Sequence, residues 1–395
     1  MSFKLKLEAD IYNKAERNNI LRVTTIESYI TEGREPEDLC LIYPTEYTNA
    51  DRLLSINWGA IVTHNDSLKT STHQVIHLQE EYEHLDDGDI ISILKNQVYI
   101  YYKHHSSSNS LFLTERCDNS CIMCSQPPKN HDDSWRVNDA IRIISLLDNT
   151  PRTLGITGGE PTLLGNDFLD ILQYCHERLP ETQLHVLTNG RSLSNSQFIQ
   201  KINTIGCENI LWGIPLYGSS AYEHDYHVQK KGAFSQTING IYNLSTIGGH
   251  IELRVVLTKD VLNNIESISD FIARNLPFIS FVAFMGVELI GFAKYNHTIV
   301  FSSLSQHIPA LSIAIKTLLM NQVQVSLYNI PLCHIPPVLR QFASQSISDW
   351  KNTFPIECEQ CRTKDICCGF FESNIKYKHG VTVTNLNSIN DTVYI

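Results

Sequence analysis

The stretch LFLTERCDNSCIMC, residues 111–124, decides how the chain is read. Its first four residues form a short apolar run of strand type, and Cys117, Cys121 and Cys124 follow at once in the spacing C-x3-C-x2-C. Three thiolates on one short loop can each ligate a different iron of a [4Fe-4S] cube. The fourth iron then stays open. An open position is what separates a metal site that binds a substrate from a closed structural one. Zinc binding or coincidence are the competing readings of these cysteines.

Outward from this loop, short apolar runs alternate with longer helical periodicity, the sign of repeated β/α units around a parallel sheet. The pattern predicts strands at about 111–114, 152–157, 183–188, 209–216, 251–258 and 278–287. Amphipathic helices lie between them, for example with Ile265, Ile268, Ile272 and Leu276 on one face. Six such units make an incomplete barrel. In parallel sheets of this kind the chemistry sits at the carboxyl ends of the strands. There the sequence places Cys117, then Gly158-Gly159-Glu160-Pro161, then Thr188-Asn189-Gly190, with Arg254 inside the fifth strand.

Before this core, residues 1–105 are β-rich, with short runs such as Leu39–Tyr43 and Val98–Tyr102 and a hairpin expected over Gly88–Val98. Lys103–Ser110, KHHSSSNS, is polar and reads as a linker. The core spans 106–320. A last section, 321–395, holds a strand at Val323–Tyr328, then Cys333 and the run C-x2-C-x5-C-C from Cys358 through Cys361 to Cys367 and Cys368. Soft ligands in that number suit a second iron–sulfur cluster or a structural zinc, and spacing alone does not choose. Cys40, Cys175 and Cys207 stand apart and read as buried small hydrophobes. The sixteen histidines form no HExxH-type pair.

The bulk properties set limits. A chain of 395 residues is long enough for two or three units, and 42% apolar with 18% charged residues is the make-up of a folding chain. The net charge of −11 argues against a protein that lives on a nucleic-acid backbone. The N-terminus lacks the apolar core of a signal peptide, and the longest apolar stretch noted, Phe281–Ala293, is too short to cross a bilayer. Neither export nor a membrane span is expected. Eleven cysteines, an odd number and partly bunched, fit cytoplasmic thiolate ligands better than a secreted disulfide framework.

Together these motifs resemble the radical S-adenosylmethionine (SAM) superfamily, whose signature is C-x3-C-x2-C on the loop after the first strand; the likeness covers about residues 111–290. It implies a partial (β/α)6 barrel in which SAM binds the open iron and an electron from the cluster breaks its sulfur–C5′ bond, giving a 5′-deoxyadenosyl radical. It also implies that Gly158, Gly159, Glu160 and Pro161 meet the methionyl amino group, Thr188 and Asn189 the ribose, and Arg254 the SAM carboxylate. Pro215 departs from the family, where many relatives carry a serine near SAM. The C-terminal cysteines resemble the auxiliary-cluster extensions called SPASM and twitch domains. That likeness favours iron on Cys333, Cys358, Cys361 and Cys367, with Cys368 as the substitute for Cys367.

A closer resemblance is to the C-type maturases of the His-Xaa-Ser system. CIMCSQPPK, GITGGEPTLLG, IPLYG with HDY, IELRVVL, and SISDWKN followed by CEQC and CCGFF all look like that family. The resemblance implies a peptide-modifying enzyme that abstracts hydrogen from a ribosomally made precursor with His-Xaa-Ser repeats, giving a cross-link or an oxidised residue. A partner radical SAM maturase and a flavodoxin- or ferredoxin-type electron donor go with it. The N-terminal region is expected to hold the peptide by strand addition. His224, Asp225, Lys231, Gly232 and Phe234 resemble a loop of such enzymes, though a lone His or Asp in a loop is more often structural. The rivals are an enzyme acting on a small molecule or RNA, and a non-catalytic metal-binding scaffold for the partner maturase.

Overall fold

In Lys6–Tyr12 (β1) every second side chain, Leu7, Ala9 and Ile11, is buried and those between are exposed, the period of two that one covered face demands. The computed structural model describes residues 6–12, 19–43, 50–64, 68, 70, 72–78, 85–94, 96–147, 151–206, 208–345 and 352–376. They divide into two compact units, one within 1–112, 134–155 and 170–182, the other within 113–133, 156–169 and 183–395.

In the first unit β1 is followed by Asn19–Thr24 (β2), Leu39–Ile42 (β3), Ala60–Thr63 (β4), Val75–Leu78 (β5), Ile90–Leu94 (β6) and Gln97–Tyr102 (β7). They close into a barrel in the order β1-β5-β4-β3-β2-β6-β7, with β1 antiparallel to both β5 and β7. Val23, Cys40, Val62, Ile76, Ile91 and Val98 fill it. The hairpin over Gly88–Val98 is the β6–β7 pair, Leu94 opposite Gln97. Peptide capture by strand addition needs a free sheet edge. In this circuit β1 pairs with β5 over Ala9–Tyr12 and with β7 over Lys6–Glu8. The polar segment after β7 is no loose linker. Lys103 is buried between Asp86 and Asp89, with Nζ 2.7 and 2.8 Å from their carboxylates, and its backbone N–H donates to the Asn109 side chain.

A parallel sheet organises the second unit. Its strands are Ser110–Phe112 (β8), Thr153–Thr157 (β9), Gln183–Leu187 (β10), Ile210–Pro215 (β11), His250–Val256 (β12), Phe281–Met285 (β13), Gln324–Tyr328 (β14) and Ala343–Ser344 (β15), ordered as in the chain. β8 and the start of β9 fall on the first unit's side of the division. The first six strands lie where the sequence places them, and Ile265, Ile268, Ile272 and Leu276 are all fully buried. The sheet does not end at six. β14 pairs in parallel with β13, Phe281 opposite Gln324, and β15 follows it. A parallel neighbour needs a crossover element, and the helix Ile308–Met320 before β14 is one. The six expected strands are thus extended by β14 and β15 to an eight-stranded sheet.

One stretch, His297–Met320, is long and apolar enough by length and composition to span a membrane. It is broken into His297–Val300, Leu304–His307 and Ile308–Met320, and Leu311, Ala314, Ile315 and Leu318 are buried on the side that packs against the helix Ile265–Asn275. Further on, Asn352–Thr353 (β16) and Phe370–Phe371 (β17) pair antiparallel, drawing together the ends of the segment that holds Cys358 to Cys368. Residues 346–351 and Cys207 lie outside the described residues.

Candidate active site

The loop that carries Cys117, Cys121 and Cys124 is held at its peptide groups. Ser120 N–H donates to Val228 O at 3.0 Å and Ile122 N–H to His227 O at 2.9 Å, while Cys124 O accepts from Phe292 N–H at 2.8 Å. Asn296 Nδ2 donates to Ile122 O. Ile122 and Met123 are buried as anchors, and the three cysteines of the loop are partly exposed and free of disulfides. Burial first, then the charges of Glu160, Asp118 and Cys124, push the Cys117 thiol up to about 12; Cys121 is raised by burial and by both other thiols. Bare, these thiols keep their protons, which a metal would displace on binding.

Among the described residues no three His, Cys, Asp or Glu stand close enough to share a single metal ion. Thiolates that each hold a different iron of a cube have no need to converge on one point. Three soft donors on one pinned, accessible loop fit a [4Fe-4S] cluster.

Gly158 and Gly159 are glycines because the backbone before Cys117 passes against them. A Cβ at Gly158 would lie 2.6 Å from Thr114 O, and one at Gly159 would fall on Arg116 O. The same approach lets Gly159 N–H donate to Thr114 O and Glu160 N–H to Arg116 O. Glu160 is buried. Its Oε1 accepts from Thr162 N–H, Thr162 Oγ1 and Thr188 Oγ1, and its Oε2 from Asn189 N–H. Burial raises its carboxyl, and these bonds pull the other way. Glu160 thus ties the GGEP turn to the end of β10, and Pro161 opens the short 3-10 turn that follows.

Asn189 is equally engaged: Nδ2 donates to Asp118 Oδ1 at 2.7 Å and Oδ1 accepts from Arg191 N–H at 2.9 Å. Arg191 Nη1 reaches Asp118 O, Asp118 Oδ2 and Asn119 Oδ1. Asp118 and Arg191 therefore bind the cysteine loop to the β10 end, and neither was singled out from sequence. Their signal was present: a carboxylate inside the cysteine motif and a guanidinium two residues past Asn189. Arg254 lies on β12 opposite Pro215 of β11, its Nη1 3.1 Å from Glu252 Oε1.

In the helix Ala221–Val228 after the fourth strand of the sheet, His224 is buried and stacked on Tyr217, and its Nδ1 accepts from Tyr217 N–H. Asp225 accepts from Gly232 and Phe234 N–H, capping the next helix. Both act structurally. Among the C-terminal cysteines, Cys361 N–H donates to Cys358 O at 3.1 Å, and burial, then the charges of Cys333, Cys361 and Cys367, push the Cys358 thiol up to about 11. Cys367 Sγ accepts N–H bonds from Leu332 and Gly369 at 3.4 Å, whereas Cys368 is buried and donates to Gly369 O. Cys40 and Cys175 are buried as expected.

The radical SAM superfamily matches the chain over residues 111–272. Similar solved structures include SuiB of Streptococcus suis bound to precursor peptide SuiA, 16% identical over 55% of this chain and 48% of that one, with a TM-score of 0.43. Another is anSMEcpe with bound AdoMet and Cp18Cys peptide, 15% identical over 55% and 62%, TM-score 0.43. A third is coproporphyrinogen III oxidase of Escherichia coli, 10% identical over 54% and 52%, TM-score 0.42. The chain spans about half of the length of SuiB. No curated protein matches the sequence. Residues 111–272 are accordingly similar to the radical SAM superfamily, and Cys117, Cys121, Cys124, Glu160, Asn189 and Arg254 all fall inside that match.

Proposed function

We propose that this protein is a radical SAM enzyme that works with a [4Fe-4S] cluster and S-adenosylmethionine, a maturase that modifies a ribosomally made precursor peptide with His-Xaa-Ser repeats, with a second iron–sulfur cluster on Cys333, Cys358, Cys361 and Cys367. The observation that carries the reading is the grouping of those cysteines in the same unit as the Cys117 loop: Cys361 N–H donates to Cys358 O, and Leu332 N–H, next to Cys333, donates to Cys367 Sγ. Bound at the first cluster, SAM supplies hydrogen abstraction, chemistry that belongs to the cofactor. The chain's residues supply placement. Glu160 and Asp118 lock the two strand ends to the cysteine loop, so that one rigid rim surrounds it. The two N–H donors on Cys367 favour its thiolate and make it the fourth auxiliary ligand ahead of Cys368. A partner radical SAM maturase, a flavodoxin- or ferredoxin-type donor and a cytoplasmic location complete the proposal.

The test is anaerobic reconstitution with iron, sulfide and 5′-deoxyadenosine measured, and the mass of a repeat peptide followed. The wild type is expected to hold about eight irons and to change the peptide's mass. With Cys117, Cys121 and Cys124 all changed to Ala, about four irons should stay and SAM cleavage should stop. Zinc at the C-terminal cysteines, or a peptide left unchanged while SAM is cleaved, would sink the reading.

A further inference from the structure

A glutamate within a buried parallel strand is out of place, because such strands read as apolar runs. Glu252 is there, buried, on β12 two residues before Arg254 and on the same face of the sheet. Its oxygens are divided: Oε1 accepts from Arg254 Nη1 at 3.1 Å, and Oε2 meets His185 Nε2 of β10 at 2.5 Å. The intervening strand is β11, where Gly213 pairs with Leu187 on one side and Glu252 on the other. A Cβ at Gly213 would come within 2.7 Å of Leu187 Cδ2, 3.0 Å of His185 Nε2 and 3.1 Å of Arg254 Cδ. Three ionisable groups from two strands meet under the missing side chain of the strand between them. Burial alone would raise the Glu252 carboxyl, but the His185 hydrogen bond and the Arg254 charge hold it below its ordinary value. Arg254 Nε and Nη2 have no hydrogen-bond partner among the described residues.

We propose that Glu252 and His185 are positioning residues that hold one edge of the Arg254 guanidinium and so present its remaining nitrogens to the carboxylate of SAM. The proposal rests on Arg254 being the cation for that carboxylate. Two effects oppose each other here. The Glu252 charge, acting alone, weakens Arg254's hold on an anion. Clamping a long, rotamer-rich side chain in one orientation strengthens it, because the entropy of ordering is then spent before the ligand arrives.

The sign of the change on removing Glu252 therefore decides. On the reconstituted full chain, the SAM dissociation constant would be read from the perturbation of the reduced cluster's EPR signal. Glu252→Ala and Arg254→Gln are each expected to weaken binding about ten-fold, with no further loss in the double variant. Gly213→Ala keeps all three charges but crowds them apart, and should weaken binding several-fold; it decides the matter if Glu252→Ala loses its iron. Unchanged or tighter binding in Glu252→Ala, with weaker binding in Arg254→Gln, would overturn the positioning role alone. Unchanged binding in Arg254→Gln would overturn the role of Arg254 and the positioning with it.

Discussion

A single methyl group at Gly159 would fall on the carbonyl oxygen of Arg116, one residue before Cys117. That oxygen also accepts the Glu160 N–H, so neither partner can withdraw without breaking the rim of the site. Gly165, four residues past Pro161, is a useful contrast: nothing stands within 4 Å of its absent Cβ, and only its φ of +59° makes a side chain costly. Both Gly159→Ala and Gly165→Ala are therefore expected to lose stability, the first by about 1–3 kcal/mol through crowding and the second by roughly 1 kcal/mol through backbone strain. Only Gly159→Ala should also lower the iron retained per chain after reconstitution. Equal iron in the two variants would show that the contact with Arg116 does not govern the cysteine loop.

Most of the element-scale arrangement was legible in the sequence, because the six early strands are short apolar runs separated by helical periodicity. The seventh strand's place was not: Val323–Tyr328 reads as a strand, but which sheet it joins depends on the helix before it crossing to the same side. The site was legible where residue type and spacing coincide, as in Cys117, Gly159 and Asn189. The ties that hold it, Asp118 to Arg191 and Glu252 to His185, run between residues 67 to 73 positions apart and become visible only once the strands are paired. One element carries a pH dependence. The helix Ala221–Val228 offers its last carbonyls to Ser120 and Ile122, and burial lowers its His224 to about 4. Unfolded, that imidazole takes a proton near 6.5. The neutral group's contribution is thus complete above pH 6.5 and is lost as pH falls through 6.5 toward 4, a loss of roughly 3 kcal/mol in total. Urea unfolding should show the wild type weakening across this window and His224→Gln showing a shallower slope. Parallel slopes would mean that His224 is not the group responsible.

For the whole molecule, the boundary after residue 105 that composition suggests does not coincide with how the chain packs, since residues 134–155 and 170–182 belong to the first unit. The helix Trp135–Leu146 buries Val137, Ala140, Ile143, Ile144 and Leu146 within that unit, where it packs on β2. Arg142 Nη2 stands 2.6 Å from Asp38 Oδ1, and Arg34 Nη1 donates to Leu146 O. A chain begun at residue 106 would keep this helix and lose β2, Asp38 and Arg34. Each large apolar side chain exposed costs about 1.5–3 kcal/mol, and three or four of them rival the whole stability of a typical domain, about 5–15 kcal/mol. The 106–395 fragment is therefore expected to aggregate or to melt far below the full chain, and any loss of peptide binding in it would report unfolding rather than a missing recognition surface. Replacing Val137, Ile143 and Ile144 by polar residues in the same fragment should recover soluble protein, since β2, on which the helix packs, is already gone. A fragment that is monomeric and melts like the full chain without those changes would show that the helix does not depend on the barrel.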